Sequence, residues 1–381
     1  MRIAIVGGGP GGLFFARLYK RHRPDAQVRI FEQNPDDATF GFGVTLGGSS
    51  LGQLAAADPE TTERLSAAMV FDEAQVIHLN GTDVPIHYAK PGGSIARLRL
   101  LQILREAARE VGVEVAFDTR VASSRDLDGY DLIVAADGVN STIRQEHGDA
   151  FGTECRILTN HFAWYGVGRA MSPNALVFRD ALGGRFVAHY YAYTPEMSTF
   201  VGECDDETWT AAGLDAMSDA DRRAVLEDVF APELAGAPLI ENRSIWRQFP
   251  AITNARWHHA NIVLIGDALR SAHFSIGSGT RLAMEDAQAL FEAMAANDAV
   301  ADALPAFVAR RQPARDRFGE AAERSFEWYE RIATGMAQQP IDFAYDFMTR
   351  TGRVDDARLE SYAPSFARLY RDSRASMAAT S

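Results

Sequence analysis

Cysteine is scarce: Cys155 and Cys204 are the two in a chain of 381 residues. With no CxxC pair and no cluster of cysteine with histidine, neither a disulfide framework nor a metal site is expected, and a reducing cytoplasm is the expected setting. Excess positive charge is missing as well. A formal net charge of −13 argues against nucleic acid or an anionic membrane as a general partner, but leaves room for a small anionic ligand held by local arginines. No apolar run approaches the ~20 residues that a membrane-spanning helix needs. The first strand begins at residue 2, so no signal peptide is expected. Internal repeats, low-complexity tracts and independent linkers are absent. What remains is an ordinary composition, 47% hydrophobic and 23% charged, in a chain long enough for two packed lobes.

Residues 2–32 read as strand, glycine turn, helix, strand. Ile3, Ala4, Ile5 and Val6 suit a parallel strand buried on both faces. Gly7, Gly9 and Gly12 supply the GxGxxG spacing: one for a tight turn, one for backbone approach to a diphosphate, one for close helix–strand packing. The diphosphate is expected at the helix N-terminus, where free N–H groups and the positive dipole end converge. A second strand, Val28–Phe31, ends at Glu32, 20 residues after Gly12. A carboxylate there accepts hydrogen bonds from ribose hydroxyls and repels a 2′-phosphate. Dinucleotide binding is therefore expected of this unit.

Residues 33–54 carry little periodicity and several glycines, among them Gly41, Gly43 and Gly47, and read as a long functional loop, with Phe42, Val44 and Leu46 buried against something. Residues 72–88 read as a hairpin about Asn80-Gly81. A helix from near Arg97 places Leu98, Leu101, Leu104, Ala108 and Val111 on one face. Strands are expected over 113–117, 119–123 and 132–136, the last ending at Asp137-Gly138 where open α/β sheets bind ligands. Arg144 either pairs with Asp137 or reaches a phosphate. From 155 to 248 the period becomes two, implying an inserted antiparallel sheet. Its row of His189, Tyr191 and Tyr193 is either a satisfied polar surface or the lining of an aromatic pocket. A buried strand over 262–265 leads to Gly266-Asp267, and Gly277-Ser278-Gly279 opens a helix whose N-terminus stabilises negative charge in the cleft. Helices are expected over 302–331 and 341–372, the latter with Phe343, Phe347 and Met348 packed and Arg350 and Arg353 exposed.

Three segments stand in order: GGGPGG with Glu32, YDLIVAADGVNSTIR, and IVLIGDALRSAHFSIGSGTRLAMEDA. Together they resemble the single-component FAD-dependent aromatic hydroxylases, the group of p-hydroxybenzoate hydroxylase. The resemblance implies an α/β fold: a Rossmann-like FAD-binding (GR2-type) lobe over 1–70, 97–154 and 255–330, a substrate-binding β-sheet lobe over 71–96 and 155–254, and a helical segment over 331–381. It implies FAD contacts at Gly7, Gly9, Pro10, Gly11, Gly12, Glu32, Gln33, Arg97, Val121, Asp137, Gly138, Arg144, Gly266, Asp267, Gly277, Ser278 and Gly279. Substrate contacts are implied at Val44, Leu46, His189, Tyr191, Phe274 and Ile276. A single GxGxxG agrees with a family that lacks a separate nicotinamide domain. His273-Phe274 replaces a proline pair common in the family, and Arg281 replaces an asparagine. AHFSIGSG, FVAHYYAY and MSTFVGECDDETWTAAGLD resemble the branch containing salicylyl-CoA 5-hydroxylase, 2-aminobenzoyl-CoA monooxygenase and protodeoxyviolaceinate monooxygenase. The closing FMTRTGRV is nearer the two thioester enzymes.

The activity this implies is hydroxylation of an electron-rich ring, in an aryl-CoA thioester or an indole-derived intermediate. NADH or NADPH reduces FAD, O2 forms a flavin C4a-hydroperoxide and the ring takes its distal oxygen, the other leaving as water; the protein supplies orientation, electrostatics and exclusion of water. Candidates for the proton-handling group are His189, His273 and Tyr191. Two other classes compete: a flavin reductase or oxidase without oxygen transfer, and a non-catalytic flavin-binding protein. Beyond a small aromatic substrate no partner is expected, and the chain is expected to be a monomer or homodimer.

Overall fold

The apolar run after Met1 forms strand β1 (Arg2–Val6), with Ile3, Ala4, Ile5 and Val6 all buried. The remaining strands follow in chain order: β2 (Gln27–Phe31), β3 (Gly43–Gly47), β4 (Val70–Leu79), β5 (Thr82–Ala96), β6 (Glu114–Ala116), β7 (Leu132–Ala135), β8 (Thr153–Val167), β9 (Asn174–Ala181), β10 (Gly184–Ala192), β11 (Ser198–Cys204), β12 (Leu239–Ile240), β13 (Arg247–Asn254), β14 (His258–His259) and β15 (Ile262–Leu264). The structure is a computed structural model and describes residues 1–38 and 40–380, without the side chains of 48–50, 379 and 380.

Two sheets organise these strands. The first runs β14-β15-β7-β1-β2-β6 and is parallel except at its β14 edge. Helices Pro10–His22, Arg97–Glu110 and Gly279–Ala296 cover it. Because β1 has β2 on one side and β7 on the other, the strand order reverses there, and the carboxyl ends of β1 and β7 open into the ligand-binding crevice of a doubly wound sheet. The second sheet runs β12-β8-β11-β10-β9-β4-β5-β3, with β13 also on β8. Its ladders are antiparallel except for a parallel β4–β9 pair, so the sheet expected from 155–248 extends to strands drawn from the first hundred residues. One face packs its own cluster around Tyr165, Phe186, Phe200 and Phe230. The other carries His189, Val201 and Trp164 in one cross-strand row.

Several expectations require correction. The span 33–54 is not one loop, because Gly43–Gly47 pairs with β5 and Gly48–Ala57 is helical; Thr39 within it lies outside the described residues. The ladder hydrogen bonds of β5 reward an extended backbone here in spite of the glycines. No strand forms over 119–123: Asp118 turns left-handed at φ 50° and Thr119 N–H donates to the Glu32 carbonyl at 2.9 Å, ending the pairing that β6 makes with β2. In helix Arg97–Glu110 the buried stripe is Leu100, Leu101, Ile103, Leu104, Ala107 and Ala108, with Leu98 only partly covered. The C-terminal stretch breaks into Pro340–Thr349, Asp356–Tyr362 and Pro364–Thr380, since a proline at 364 biases Ala363 away from helical geometry. Asn80 and Gly81, at φ 45° and 90°, close the β4–β5 hairpin as their residue types require.

Candidate active site

Gly7 sits at φ 103°, and a Cβ there would lie 2.4 Å from the Ala136 carbonyl oxygen. Only glycine lets β1 turn against the end of β7. A Cβ on Gly12 would meet the Gly7 carbonyl oxygen at 2.4 Å, whereas one on Gly9 would find nothing nearer than 4.0 Å. The middle glycine therefore faces open space at the start of helix Pro10–His22, and Gly11 backs onto Ala283 of helix Gly279–Ala296. At the end of β2, Glu32 Oε2 accepts from Gly8 N–H at 2.7 Å, and Oε1 accepts from Asn34 N and Nδ2 at 2.9 and 2.7 Å. The acid is held beside the glycine turn. Gln33 next to it is exposed, and Val121 is buried in the core of the first sheet.

Two polar atoms near these turns are buried without a hydrogen-bond partner among the described residues. Arg97 Nε is buried and unpaired, with Asp267 and Glu32 as the carboxylates whose fields reach it. Asp137 Oδ2 accepts from Thr142 N–H at 2.8 Å, while its Oδ1 is buried without a partner. Burial raises the pKa of Asp137, and of Asp267, whose Oδ1 accepts from Ala272 N–H at 3.3 Å. Arg144 makes no ion pair with Asp137 among the described residues. Its guanidinium donates to the carbonyls of Val139, Ala268 and Gly138 at 2.6, 3.3 and 3.4 Å, tying the Asp137-Gly138 turn to the Gly266-Asp267 turn.

The second turn has a brace that sequence analysis missed. Asp286, fully buried, accepts from Gly266 N–H at 3.1 Å and from Arg311 Nε at 2.7 Å; Arg315 Nη2 lies 3.3 Å from it and donates to the Gly266 carbonyl at 3.1 Å. The available signal was a pair of arginines at i, i+4 on the long helix Val300–Glu330. Thr45 Oγ1 donates to the Gly277 carbonyl at 3.2 Å, and Ser278 Oγ donates to Ile276 O at 2.9 Å. Helix Gly279–Ala296 is left without a side-chain cap or an acidic first turn. Its N-terminal N–H groups are free for an anionic partner.

On the facing sheet, Tyr191 donates its hydroxyl to the Gly43 carbonyl at 2.9 Å, while Thr199 Oγ1 accepts from Gly43 N–H at 2.8 Å. The two clamp β3 to the sheet, and burial pushes the Tyr191 phenol up to about 12. His189, half-buried, has no hydrogen-bond partner among the described residues; burial and then the charge of Arg350 pull it down to about 4. His273 is buried among Phe249, Phe274 and Phe326, its Nδ1 accepting from Ser275 N–H at 3.2 Å. Burial and Arg350 hold it at about 3. Phe274 packs against Phe162, tilted, and edge-on to Trp164, with ring centroids 4.6 and 5.5 Å away, joining the turn to the row that holds His189. Ile276 packs on Leu282 and Phe318, Val44 is half-buried, and Leu46 is fully buried in the first core.

Arg350 is not exposed as expected. It donates from Nε to Ser325 Oγ at 3.0 Å, from Nη1 to Phe347 O at 2.6 Å and from Nη2 to Ser275 O at 2.8 Å, with its carbon 3.8 Å from the Phe347 ring centroid. Helix Pro340–Thr349 buries Phe343, Phe347 and Met348 against the second sheet. That docking turns the residue after the helix inward.

The family model described as "FAD binding domain" matches residues 1–322. The chain belongs to the single-component FAD-dependent aromatic hydroxylases. This hydroxylase is 38% identical to salicyloyl-CoA 5-hydroxylase of Streptomyces sp over 92% of the chain and 70% of that protein. It is 34% identical to 3-hydroxy-4-methyl-anthranilyl-[aryl-carrier protein] 5-monooxygenase of Streptosporangium sibiricum, covering 93% of the chain and 95% of the relative. Protodeoxyviolaceinate monooxygenase of Chromobacterium violaceum is 33% identical, with 96% of both chains covered. The fold matches that of 2-methyl-3-hydroxypyridine-5-carboxylic acid oxygenase with a TM-score of 0.72 at 17% identity, over 94% of this chain and 95% of that one. The hydroxylase uses FAD with a nicotinamide reductant and O2.

The residues present fit FAD. Open space at Gly9, the uncapped helix Gly279–Ala296 and the orphaned Arg97 Nε offer donors for a diphosphate, and Glu32, held on Gly8 N–H, offers a carboxylate beside the glycine turn for a ribose. Among the described residues no group of three or more His, Cys, Asp or Glu could hold a metal ion, and no helix is long and apolar enough to cross a membrane.

Proposed function

We propose that the hydroxylase acts on an electron-rich aromatic ring carried as a thioester, with the ring between Phe274 and the β10 face and its proton taken by His189. The observation that carries this reading is the position of Arg350: a cation from the TRTGR stretch, with no carboxylate within ion-pair distance among the described residues, brought into the field of His189. Each guanidinium nitrogen makes one bond in the protein, which leaves a further N–H on both terminal nitrogens for a substrate carbonyl or phenolate oxygen. The two relatives that act on salicyloyl-CoA and on an aryl-carrier-protein substrate support the thioester class.

His189 is better suited than His273 to accept the ring's phenol or aniline proton. In His273 the Nδ1 lone pair already accepts from Ser275 N–H, so the neutral ring carries its proton on Nε2 and offers a donor. His189 is neutral well below pH 7 and keeps a free acceptor nitrogen. Arg97, the Gly7–Gly12 turn, Glu32 and the Asp267 turn hold FAD, and the free N–H groups of helix Gly279–Ala296 favour negative charge on it. Bound FAD supplies hydride acceptance from NADH or NADPH and the activation of O2. Trp164, Phe274 and Phe162 exclude water from the ring. The enzyme works in the cytoplasm as a monomer or homodimer.

The test is substrate-stimulated NADH and NADPH oxidation by purified holoenzyme against salicylyl-CoA, 2-aminobenzoyl-CoA, free aromatic acids and indole derivatives, with labelled O2. Label in the product of a thioester is the expected result. Preference for an indole sinks the thioester assignment. An unlabelled product identifies a reductase or oxidase, and no stimulation by any substrate leaves a flavin-binding protein.

A further inference from the structure

A groove of about 650 Å3 runs between helices Gly279–Ala296 and Val300–Glu330 and the turn Thr351–Arg353. Arg281, Arg317, Arg324 and Arg353 line it, around the ring of Phe318. In a chain of net charge −13 this is a local reversal of sign even with Glu285, Glu292 and Glu320 on the lining, and three of these arginines are not neutralised in place. Arg317 and Arg324 have no ion pair or side-chain hydrogen bond among the described residues. Arg353 has only the Phe318 ring, its carbon 5.8 Å from the centroid. Glu285 is spent on Arg281 and Arg311, at 2.9 and 2.8 Å. The charged form of Arg353 is disfavoured by burial and by the fields of Arg281, Arg358 and Arg317. Guanidinium groups that crowd one another across a concave surface are stabilised by a polyanion that bridges them.

We propose that this groove binds the phosphorylated adenosine end of a coenzyme A thioester, with Arg317, Arg324 and Arg353 on its phosphates. The inference rests on the thioester reading above and adds where the carrier lies. Continuity with the active site supports it: Arg353 follows Arg350 by three residues, and the groove floor of Leu282 and Phe318 packs on Ile276, next to Gly277. The groove is concave and of the size of a small-ligand site, which favours a nucleotide over the convex face of a carrier protein.

Equilibrium binding of CoA, dephospho-CoA and pantetheine to holoenzyme tests this without turnover. CoA is expected to bind at least about tenfold more tightly than pantetheine, with dephospho-CoA between them, and Arg317→Glu with Arg353→Glu is expected to abolish that difference. FAD content and melting temperature of the variant serve as folding controls, with Arg317→Gln and Arg353→Gln as the milder pair. In turnover, the charge-reversed variant should raise KM for an aryl-CoA relative to KM for the same acyl group on N-acetylcysteamine. Equal affinity for CoA and pantetheine, or wild-type CoA binding by the variant, overturns the groove assignment even if aryl thioesters are hydroxylated. So does turnover of a carrier-protein thioester with none of the CoA thioester. CoA bound in the groove with no thioester hydroxylated keeps the groove and sinks the reading of function.

Discussion

Arg350 Nη2 donates to the carbonyl oxygen of Ser275 at 2.8 Å, and through that bond the C-terminal helices reach the turn that precedes Gly277 and Gly279. Ser275 Oγ and Ser325 Oγ, 2.9 Å apart, close the ring of contacts, with Arg350 Nε on Ser325. One cation thus joins helix Val300–Glu330, helix Pro340–Thr349 and the Phe274–Ile276 turn. Its field also reaches His189 and His273.

Replacing Arg350 by methionine should move the pH dependence of catalysis. A histidine base works when neutral, so with His189 as the proposed base the wild-type acid limb of kcat should follow a histidine held at about 4. Loss of the cation lets that value rise toward the ordinary 6.5, although burial, the larger cause, still holds it below. The variant's acid limb should therefore lie at higher pH, with kcat/KM lowered by about a hundredfold. A pH–kcat profile that does not shift removes Arg350 from the field of the base.

Tyr191→Phe separates a clamp from a proton carrier. Removing one hydrogen bond to Gly43 should cost about 1 kcal/mol of stability, seen in urea unfolding, and leave kcat within about threefold. A hundredfold fall in kcat would make the phenol a participant in proton transfer.

Arg97→Met should weaken FAD binding by at least about tenfold, measured by flavin titration of apoprotein. Because Nε is buried without a partner, the apoprotein should melt no lower than wild type. Unchanged flavin affinity would take Arg97 out of the site.

Glu203 lies buried on β11, accepting from Asn160 Nδ2 at 2.8 Å, and burial pushes its carboxyl up to about 7 from 4.5. The folded protein therefore holds this proton more tightly than the unfolded chain, and the contribution of Glu203 to stability is full below about pH 4.5 and is lost as pH rises to about 7. That loss is about 3 kcal/mol. Glu203→Gln should flatten the pH dependence of Tm between these limits and melt above wild type at pH 8. A parallel offset of the two curves would place the pH dependence elsewhere.

Asp286→Asn should destabilise the protein by about 3–5 kcal/mol, because Arg311 and Arg315 keep their charges in a buried site without the carboxylate. Loss of bound FAD should accompany the fall in Tm, since Asp286 holds Gly266 N–H. A normal flavin content with a lowered Tm would confine the brace to stability.

The local features were legible because they depend on neighbouring residues alone. Gly7, Gly9, Gly12 and Glu32 belong to one continuous strand–turn–helix–strand, and Asn80-Gly81 dictates its own turn. Burial of Ile3–Val6 and Leu132–Ala135 followed from apolar runs too short for anything but strands inside a parallel sheet. Failures came where a distant partner decided the outcome. Gly43–Gly47 is a strand because β5 lies alongside it, and Thr119–Ser123 is not one because Asp118 turns the chain away.

By itself the sequence determined the nucleotide-binding half of this protein: the glycine turn, the carboxylate held beside it and the helix that opens after Gly277-Ser278-Gly279, each encoded within some thirty residues of chain. Only the tertiary structure decided the charges around the substrate. Arg350 and Arg353 look alike in FMTRTGRV, yet docking of helix Pro340–Thr349 turns one inward onto Ser275 and leaves the other at the mouth of a groove. A side chain's exposure depends on which surfaces its helix meets, and those surfaces, β10 and helix Val300–Glu330, lie far away along the chain.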